Sequence, residues 1–544
     1  MKRRELLSAL TSAVALQGCG GGGSDPAPAP SPSPTPPPSP APSPTPAPTP
    51  APSPSPPPAP AVTGPAWWGF GRDAQHTTLS GIAAQELARI RWTSPVDLEP
   101  QYESNGALLI HYGSPAISEH NTVVFGVKTG ATSGFRIEGR SGGDGSLLWS
   151  QDTDYQLPLH QWVPSYNVTI TPTGQVCAPA AGGRVLVRAS ADTPTSDLRT
   201  LVFYGEAVYA AAPSVFDSSV RINTPLTCDA GGNLYFGFVV TGSNPAGLSS
   251  GFARVGADGS GRWISAIVAA GDTSIEKPAT NCAPALSPDG KTVYAAVNTP
   301  RVAGVPQTGY LLALDSATLA VKARVPLVDP DSGRLARLTD NGTASPAIGP
   351  DGRVFFGVQE STQGQHNARG WLLQFDALLA TAYLPGSFGW DITPSVIPAS
   401  MVGGYSGPAT YLVAVKYNNY EGAGTGDGAN RLAVLDPLTS QMDLYSPREV
   451  MRDVITILGP TVESPASGAV YEWCINTMAS DPSTRSILVN SEDGMLYRWD
   501  LSTNTFSQSI RLGEGLGQAY TPTAIGADGA VYAINNARLL SIGR

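Results

Sequence analysis

Short runs of aliphatic and aromatic residues recur along the chain at a regular spacing, each cut off by a turn signal. One recurring start is a small or polar residue, then proline, then an aliphatic pair. It appears as Gly113-Ser114-Pro115-Ala116-Ile117, Asn223-Thr224-Pro225-Leu226 and Asn281-Cys282-Ala283-Pro284-Ala285-Leu286. It returns at Ala344-Ser345-Pro346-Ala347-Ile348, Ile392-Thr393-Pro394-Ser395-Val396 and Tyr520-Thr521-Pro522-Thr523-Ala524, with weaker copies at Asn167–Ile170 and Asn476–Ala479. From Pro115 to Pro522 the copies stand about 58 residues apart. A tight turn and a second strand follow each start. Asp289-Gly290 precedes Thr292–Ala296, Asp351-Gly352 precedes Val354–Gly357, and Asp528-Gly529 precedes Val531–Ile534. Asp-Gly supplies the positive φ a hairpin needs, and β-branched or aromatic flanks fit a half-buried pleat.

Third strands close on an acidic residue: Leu311–Asp315, Trp371–Asp376, Leu432–Asp436 and Leu496–Asp500. A fourth strand follows, sometimes with tryptophan, as in Leu147–Trp149 and Arg262–Ile264. Four short antiparallel strands in each of eight repeats predict an all-β fold, an eight-bladed β-propeller. The last repeat stops after its third strand, at Leu539–Ile542, while Arg89–Thr93 near the start is an unpartnered strand of fourth-strand type. Pairing the two completes the last blade with an N-terminal strand and removes two open sheet edges. A pair of stacked sheets, or two separate domains, leaves both the spacing and the complementary ends unexplained.

The first 65 residues follow another pattern. Residues 1–18 carry a basic start (Lys2, Arg3, Arg4) and a short apolar stretch, Leu6–Leu16, which reads as a signal peptide. Leu16-Gln17-Gly18-Cys19 resembles a bacterial lipobox, which makes Cys19 the expected lipidation site. Arg3-Arg4-Glu5-Leu6-Leu7 also resembles a twin-arginine signal, so the export route stays open. Residues 19–65 form an expected stalk: twenty of the 51 prolines fall between Pro26 and Pro60, with no charge among them. Proline removes backbone donors and fixes φ, so the stretch favours extended polyproline II. At about 3.1 Å per residue it reaches ~100 Å. Residues 66–544 are the expected propeller domain. Of the 544 residues only 14% are charged, and the net charge is −10. With no Lys/Arg cluster after residue 4, nucleic acid is excluded as a partner. After the leader, no apolar run approaches the length of a membrane-spanning helix.

Trp68-Gly69-Phe70-Gly71-Arg72-Asp73-Ala74-Gln75-His76-Thr77, together with the Ala-Leu-Asp third strands, resembles bacterial proteins with PQQ-like (quinoprotein alcohol dehydrogenase-like) propeller repeats. The resemblance covers roughly residues 66–544. It implies the propeller fold but no single activity, because that superfamily holds quinone-dependent dehydrogenases and the outer-membrane lipoprotein of the barrel-assembly complex alike. Resemblance to enterobacterial sorting, with Gly20 after the cysteine, implies an outer-membrane lipoprotein of the cell envelope, facing periplasm or cell surface.

In such a propeller the long loops share one face: Gly242–Ser250, Asn298–Gly309, Gln359–Gly370, Lys416–Asn430 and, longest, Asp443–Asn476. Long loops on a rigid scaffold carry function more often than tight turns do. Just before the first strands come His111, Tyr112, Tyr166, Asn167, Asn223, Asn281, Asn341, Asp391, Asn476 and Tyr520. As a ring at the channel mouth they offer hydrogen bonds and stacking to a sugar or peptide backbone. The same residue types also cap turns and satisfy strand starts. No catalytic residue is assigned, since no nucleophile elbow is present. The five histidines lack metal-ligand spacing, so no metal site is assigned. No cofactor is expected. PQQ and calcium stay open through the resemblance alone, with no adjacent cysteine pair or ligand motif behind them. Cys228 and Cys282, near the first strands of neighbouring blades, are the one disulfide pairing singled out, against buried free thiols for all. The reading is a monomeric, lipid-anchored propeller that binds or scaffolds a protein or glycan partner in the envelope through its loop-rich face. The other reading is an envelope enzyme, dehydrogenase-like or sugar-active, working at the channel mouth.

Overall fold

A computed structural model describes residues 63–102, 108–160, 162–340, 342, 344–473, 475–515 and 522–544. The signal peptide, Cys19, most of the stalk, Asn341, Cys474 and Tyr520 lie outside the described residues. Among the described residues eight antiparallel blades follow one another along the chain, the first seven with their strands in sequence order and the eighth taking its outer strand from the N-terminal end. Blade one, for example, runs Ala116–Ile117, Thr122–Lys128, Phe135–Ser141 and Leu147–Asp152. Middle strands such as Thr292–Asn298 are buried at every position, because neighbouring blades cover both of their faces. Outer strands such as Thr505–Arg511 alternate exposed and half-buried residues, the pattern of one covered face. In blades four, five and eight the turn between first and second strands is the Asp-Gly hairpin, with Gly290 at φ 69°, Gly352 at φ 85° and Gly529 at φ 81°.

Both chain ends build blade eight, as its unfinished repeat requires. Arg89–Pro95 pairs antiparallel with Arg538–Gly543, from Arg89 opposite Gly543 to Pro95 opposite Arg538, with one bulge between Ile90 and Trp92. Trp92 is buried against Tyr532 at 5.7 Å, and its Nε1 donates to the Gly142 carbonyl of blade one at 3.0 Å. The strand then runs on into blade one. Asp97 forms a fully buried ion pair with Lys128 at 2.8 Å, and Lys128 Nζ also donates to the carbonyls of Glu99, Gly130 and Ala131.

Three departures from the four-strand repeat bear on function. Blades three and four have split first strands, Val220–Ile222 with Thr227–Cys228 and Lys277–Pro278 with Ala285–Leu286, so their sheets count five strands. Blade five has three regular strands, and its outer segment meets the third strand through isolated bridges from Ala382 to Phe375 and Gly386 to Leu372. Blade six compensates. The expected long loop from Asp443 to Asn476 instead contains that blade's fourth strand, Glu449–Leu458, and a small hairpin of Val462–Ser464 with Ala469–Val470. The third strand extends to Met442, past a bulge between Asp436 and Ser440, so that Ser440–Met442 and Glu449–Met451 form a paired arm. The arm leans on blade five: Met451 N–H donates to the Pro385 carbonyl, and Val450 joins the core around Trp371. The sequence pattern hides this strand, because Arg452 and Asp453 interrupt its apolar run where they meet the third strand's end.

Candidate functional site

Residues 67–80 cross the inside of the ring. Trp67 bridges Ile117 of blade one, and the Trp68 carbonyl accepts from Ile170 N–H of blade two. The Ala74 carbonyl accepts from Leu286 in blade four, the Gln75 carbonyl from Ile348 in blade five, and the Thr78 carbonyl from Ser480 in blade seven. Four of these five contacts fall on the last residue of a first strand, so the segment spans the channel where the innermost strands end. That end belongs to the tight-turn face. There the chain enters the domain: Gly64 N–H donates to the Glu119 carbonyl in the first turn of blade one.

The residues that carry the family resemblance build this plug. Gly71, Arg72, His76 and Thr78 all hold positive φ (62°, 78°, 58° and 60°), which folds the segment into tight turns. Asp73 pins them, its Oδ1 accepting from the N–H groups of Gln75 and Thr77 and its Oδ2 from the Thr77 hydroxyl. His76 is completely buried. Its Nδ1 donates to the Pro346 carbonyl at 2.7 Å and its ring stands edge-on to Phe70. Nε2 has no hydrogen-bond partner, which fixes the neutral tautomer protonated on Nδ1. Burial pushes the imidazole down to about 4. Sequence reasoning saw this motif only as a likeness. The signal for a plug was there, in a Gly-rich polar segment without strand periodicity just before the closing strand.

The ring residues stand at the opposite end of the first strands, and those with described contacts brace neighbouring blades. Asn167 Oδ1 accepts from Ser114 N–H, and its Nδ2 donates to Ser165 Oγ. Asn281 Oδ1 accepts from Ser165 N–H at 2.9 Å, linking blade four to the segment before blade two. Asn223 Nδ2 donates to the Pro278 carbonyl, and its own carbonyl accepts from Asn281 N–H. The braces continue from Ala283 N–H to Ser345 Oγ, from Ser345 N–H to Thr393 Oγ1, and from Thr393 N–H to the Asn476 carbonyl. Asp391 sits beside them, fully buried at φ 66°. Asn223 Oδ1 and Asn281 Nδ2 make no hydrogen bond, yet the residues are only 4% and 2% exposed and present nothing to an incoming molecule. His111 bonds the Val163 carbonyl, Tyr166 donates to the Pro179 carbonyl and stacks on Phe135, and Tyr112 lies beside Asp97. Burial raises the phenols of Tyr112 and Tyr166. Among the described residues most of the ring's side chains are engaged in internal hydrogen bonds.

A second polar group joins blades five and six. Asp443, at the tip of the blade-six arm, accepts from Ser387 Oγ on one oxygen and meets His366 Nε2 at 2.9 Å with the other. His366 stacks on Trp371 at 3.9 Å, and Arg369 spans the rings of Tyr417 and Tyr445 while donating to Ser387 Oγ. Its hydrogen bonds hold Asp443 down at about 2 against the opposing effect of burial. Serine, aspartate and histidine meet here in an order unlike a Ser-His-Asp triad. The carboxylate lies between the other two, so no imidazole faces the Ser387 hydroxyl. These residues lie 21 and 56 positions apart in the chain, and no local motif could have flagged them.

Among the described residues no three His, Cys, Asp or Glu side chains are grouped to hold a metal ion. Cys228 and Cys282 do not pair. Cys228 packs in the core of blades two and three and Cys282 in that of blades four and five, each buried as a free thiol like Cys177. Burial drives the thiols of Cys177 and Cys282 up to about 12.

No family model matches the sequence, and no curated protein matches it. Solved structures do match. The chain superposes on a europium-containing methanol dehydrogenase with a TM-score of 0.54 at 10% identity, covering 86% of this chain and 89% of that one. The quinohemoprotein alcohol dehydrogenase of Comamonas testosteroni gives 0.53 at 12% identity, with 89% and 82% covered. The quinohemoprotein alcohol dehydrogenase ADHIIG of Pseudomonas putida HK5 gives 0.53 at 12%, with 88% and 80% covered. At such identities the likeness is one of architecture, and by it this chain carries the eight-bladed β-propeller fold of those proteins.

Proposed function

We propose that this protein is an exported, lipid-anchored propeller that binds a protein or glycan of the bacterial cell envelope through its loop-rich face. One observation carries the reading: the segment leading in from the stalk enters at the tight-turn face and crosses the channel there. A tether arriving on that side leaves the opposite face unobstructed. That face collects the loops between second and third strands, where Val302 and Val305 are more than half exposed. It also holds the blade-to-blade connection bearing Leu159, 98% exposed. Exposed apolar side chains on loops suit a protein or carbohydrate surface better than bulk water. The described ring amides, buried and bonded in large part to neighbouring blades, favour recognition by the loops over chemistry in the channel.

Photo-crosslinking in intact cells tests this. A crosslinker at Leu159 or Val305 should capture one discrete partner, and the same group at Gly290 in the turn face should not. Equal capture from both faces would overturn the orientation. Dye-linked alcohol oxidation by purified protein supplied with PQQ and calcium would overturn the binding reading in favour of an enzyme. Mass analysis of the mature N-terminus tests the anchor separately, with diacylglyceryl-Cys19 as the expected species.

A further inference from the structure

We infer that His366 carries a proton on both ring nitrogens and acts as a pH-sensitive clasp between the long loop of blade five and the arm of blade six. The assignment follows from what the ring faces. Nδ1 lies 3.2 Å from the Gly370 carbonyl and Nε2 lies 2.9 Å from Asp443 Oδ2, and both partners are acceptors only. A neutral imidazole has one donor, so one of these contacts would set two lone pairs against each other in a buried site. With both protons in place the ring makes one neutral and one charge-assisted hydrogen bond, the stronger class.

The surroundings are built to keep that ring in place. His366 is 2% exposed and lies flat on Trp371, with an interplanar angle of 12°. Its own N–H donates to Glu360 Oε2 at 2.7 Å, and Ala368 N–H donates to Glu360 Oε1, so the loop folds around a second carboxylate. Arg337, which adjoins Glu360, donates to the Ser361 carbonyl. From the blade-six side come Asp443 and, beyond it, Arg448, whose guanidinium reaches Asp331. From blade five's outer segment comes Ser387, hydrogen-bonded to both Asp443 and Arg369. Tyr417, behind Arg369, donates to Asp453. His366 and Arg369 therefore sit close to Asp443 and Glu360 in the buried centre, with Arg337 beside Glu360, whose carboxyl burial raises. Removing the histidine proton takes one positive charge from that centre and cancels one hydrogen bond.

The structural consequence falls on the arm. Its tip carries Leu444, 80% exposed, and Tyr445, and the clasp joins that tip to the loop through residues far apart in sequence. With both ring protons in place the clasp is closed. Loss of either proton breaks the bond to Gly370 or to Asp443 and loosens the tip, altering an apolar surface patch without unfolding the blades.

Two measurements on the full chain test this. Nitrogen-15 NMR of histidine-labelled protein, with the His366→Gln variant for assignment, should show a ring protonated on both nitrogens at pH 6. Hydrogen exchange, expressed as protection relative to intrinsic rates, should fall about tenfold or more in segments 360–370 and 440–451 between pH 6 and pH 9, the scale set by one charged hydrogen bond. In His366→Gln protection should be low at both pH values. A ring with a single proton at pH 6, or protection that ignores pH in the wild-type chain, would overturn the proposal.

Discussion

Acid should attack this propeller first through its plug. His76 is buried as the neutral tautomer, held at about 4, whereas an unfolded histidine binds its proton near 6.5. Between those values the unfolded chain is protonated at this site and the folded chain is not, so stability rises with pH across the window and is lost as pH falls. By linkage the loss is about 2 kcal/mol at pH 5 and approaches ~3 kcal/mol near pH 4. The cause is structural. A second proton would sit on Nε2, which has no acceptor. The informative variant is His76→Asn. Its amide nitrogen can occupy the place of Nδ1 and keep the bond to Pro346, and asparagine tolerates the φ of 58° better than most residues. Losing the ring against Phe70 should cost about 1–2 kcal/mol at every pH. Urea unfolding of both chains at pH 7 and pH 5 isolates the effect, because the other ionisable groups contribute equally and cancel. The wild-type chain should lose about 2 kcal/mol more than the variant between the two pH values. Parallel losses would refute the argument that His76 stays neutral in the folded plug.

Trp92→Ala should destabilise the domain by about 3–5 kcal/mol in denaturant unfolding, since it empties a buried site in the strand that closes the ring. A change under ~1 kcal/mol would mean that the closing strand contributes little. Lys128→Met leaves the buried Asp97 carboxylate without its cation and should cost about 3–5 kcal/mol, while the double variant with Asp97→Asn should recover part of it. Cys177, Cys228 and Cys282 should resist alkylation at pH 8 in the native protein and react fully in denaturant, as peptide mass mapping would show, because burial raises all three thiols.

The architecture was legible because a propeller writes itself in short-range code. Each Asp-Gly hairpin and each Leu-Ala-Leu-Asp strand is a local statement, and repetition turns local statements into a global count. Closure by Arg89–Pro95 was legible for the same reason, as a surplus strand at one end answering a missing one at the other. What escaped was non-local or irregular. The fourth strand of blade six carries Arg452 and Asp453 in mid-run, which breaks the apolar alternation, and its arm is justified only by contacts with blade five. The plug has no periodicity at all, and its turns come from backbone geometry at Arg72, His76 and Thr78 that few sequence rules anticipate. Asn167, Asn223, Asn281 and Asn476 stand just before first strands, but whether an amide faces a ligand or a neighbouring blade depends on spacing between blades, which no single repeat encodes.

That last point decides where a fold of this kind can be put to use. An amide buried without partners costs on the order of 1–3 kcal/mol, so buried side chains such as Asn167, Asn223 and Asn281 are held best where neighbouring blades bond them. Here each bonds a neighbouring blade or the segment before one through at least one atom, and one end of the channel is crossed by the chain itself. Both devices spend the interior on holding eight blades in a ring. Polar groups committed in this way are positioned by the whole circle, and shifting any one to meet a ligand would break a brace between two blades. Loops beyond the strand ends carry no such burden, because Leu159, Val302 and Val305 can change partners without disturbing a ladder. Sequence change is therefore cheap at the loop-rich face and expensive in the channel, which makes the face the part of this molecule best able to acquire a specific partner.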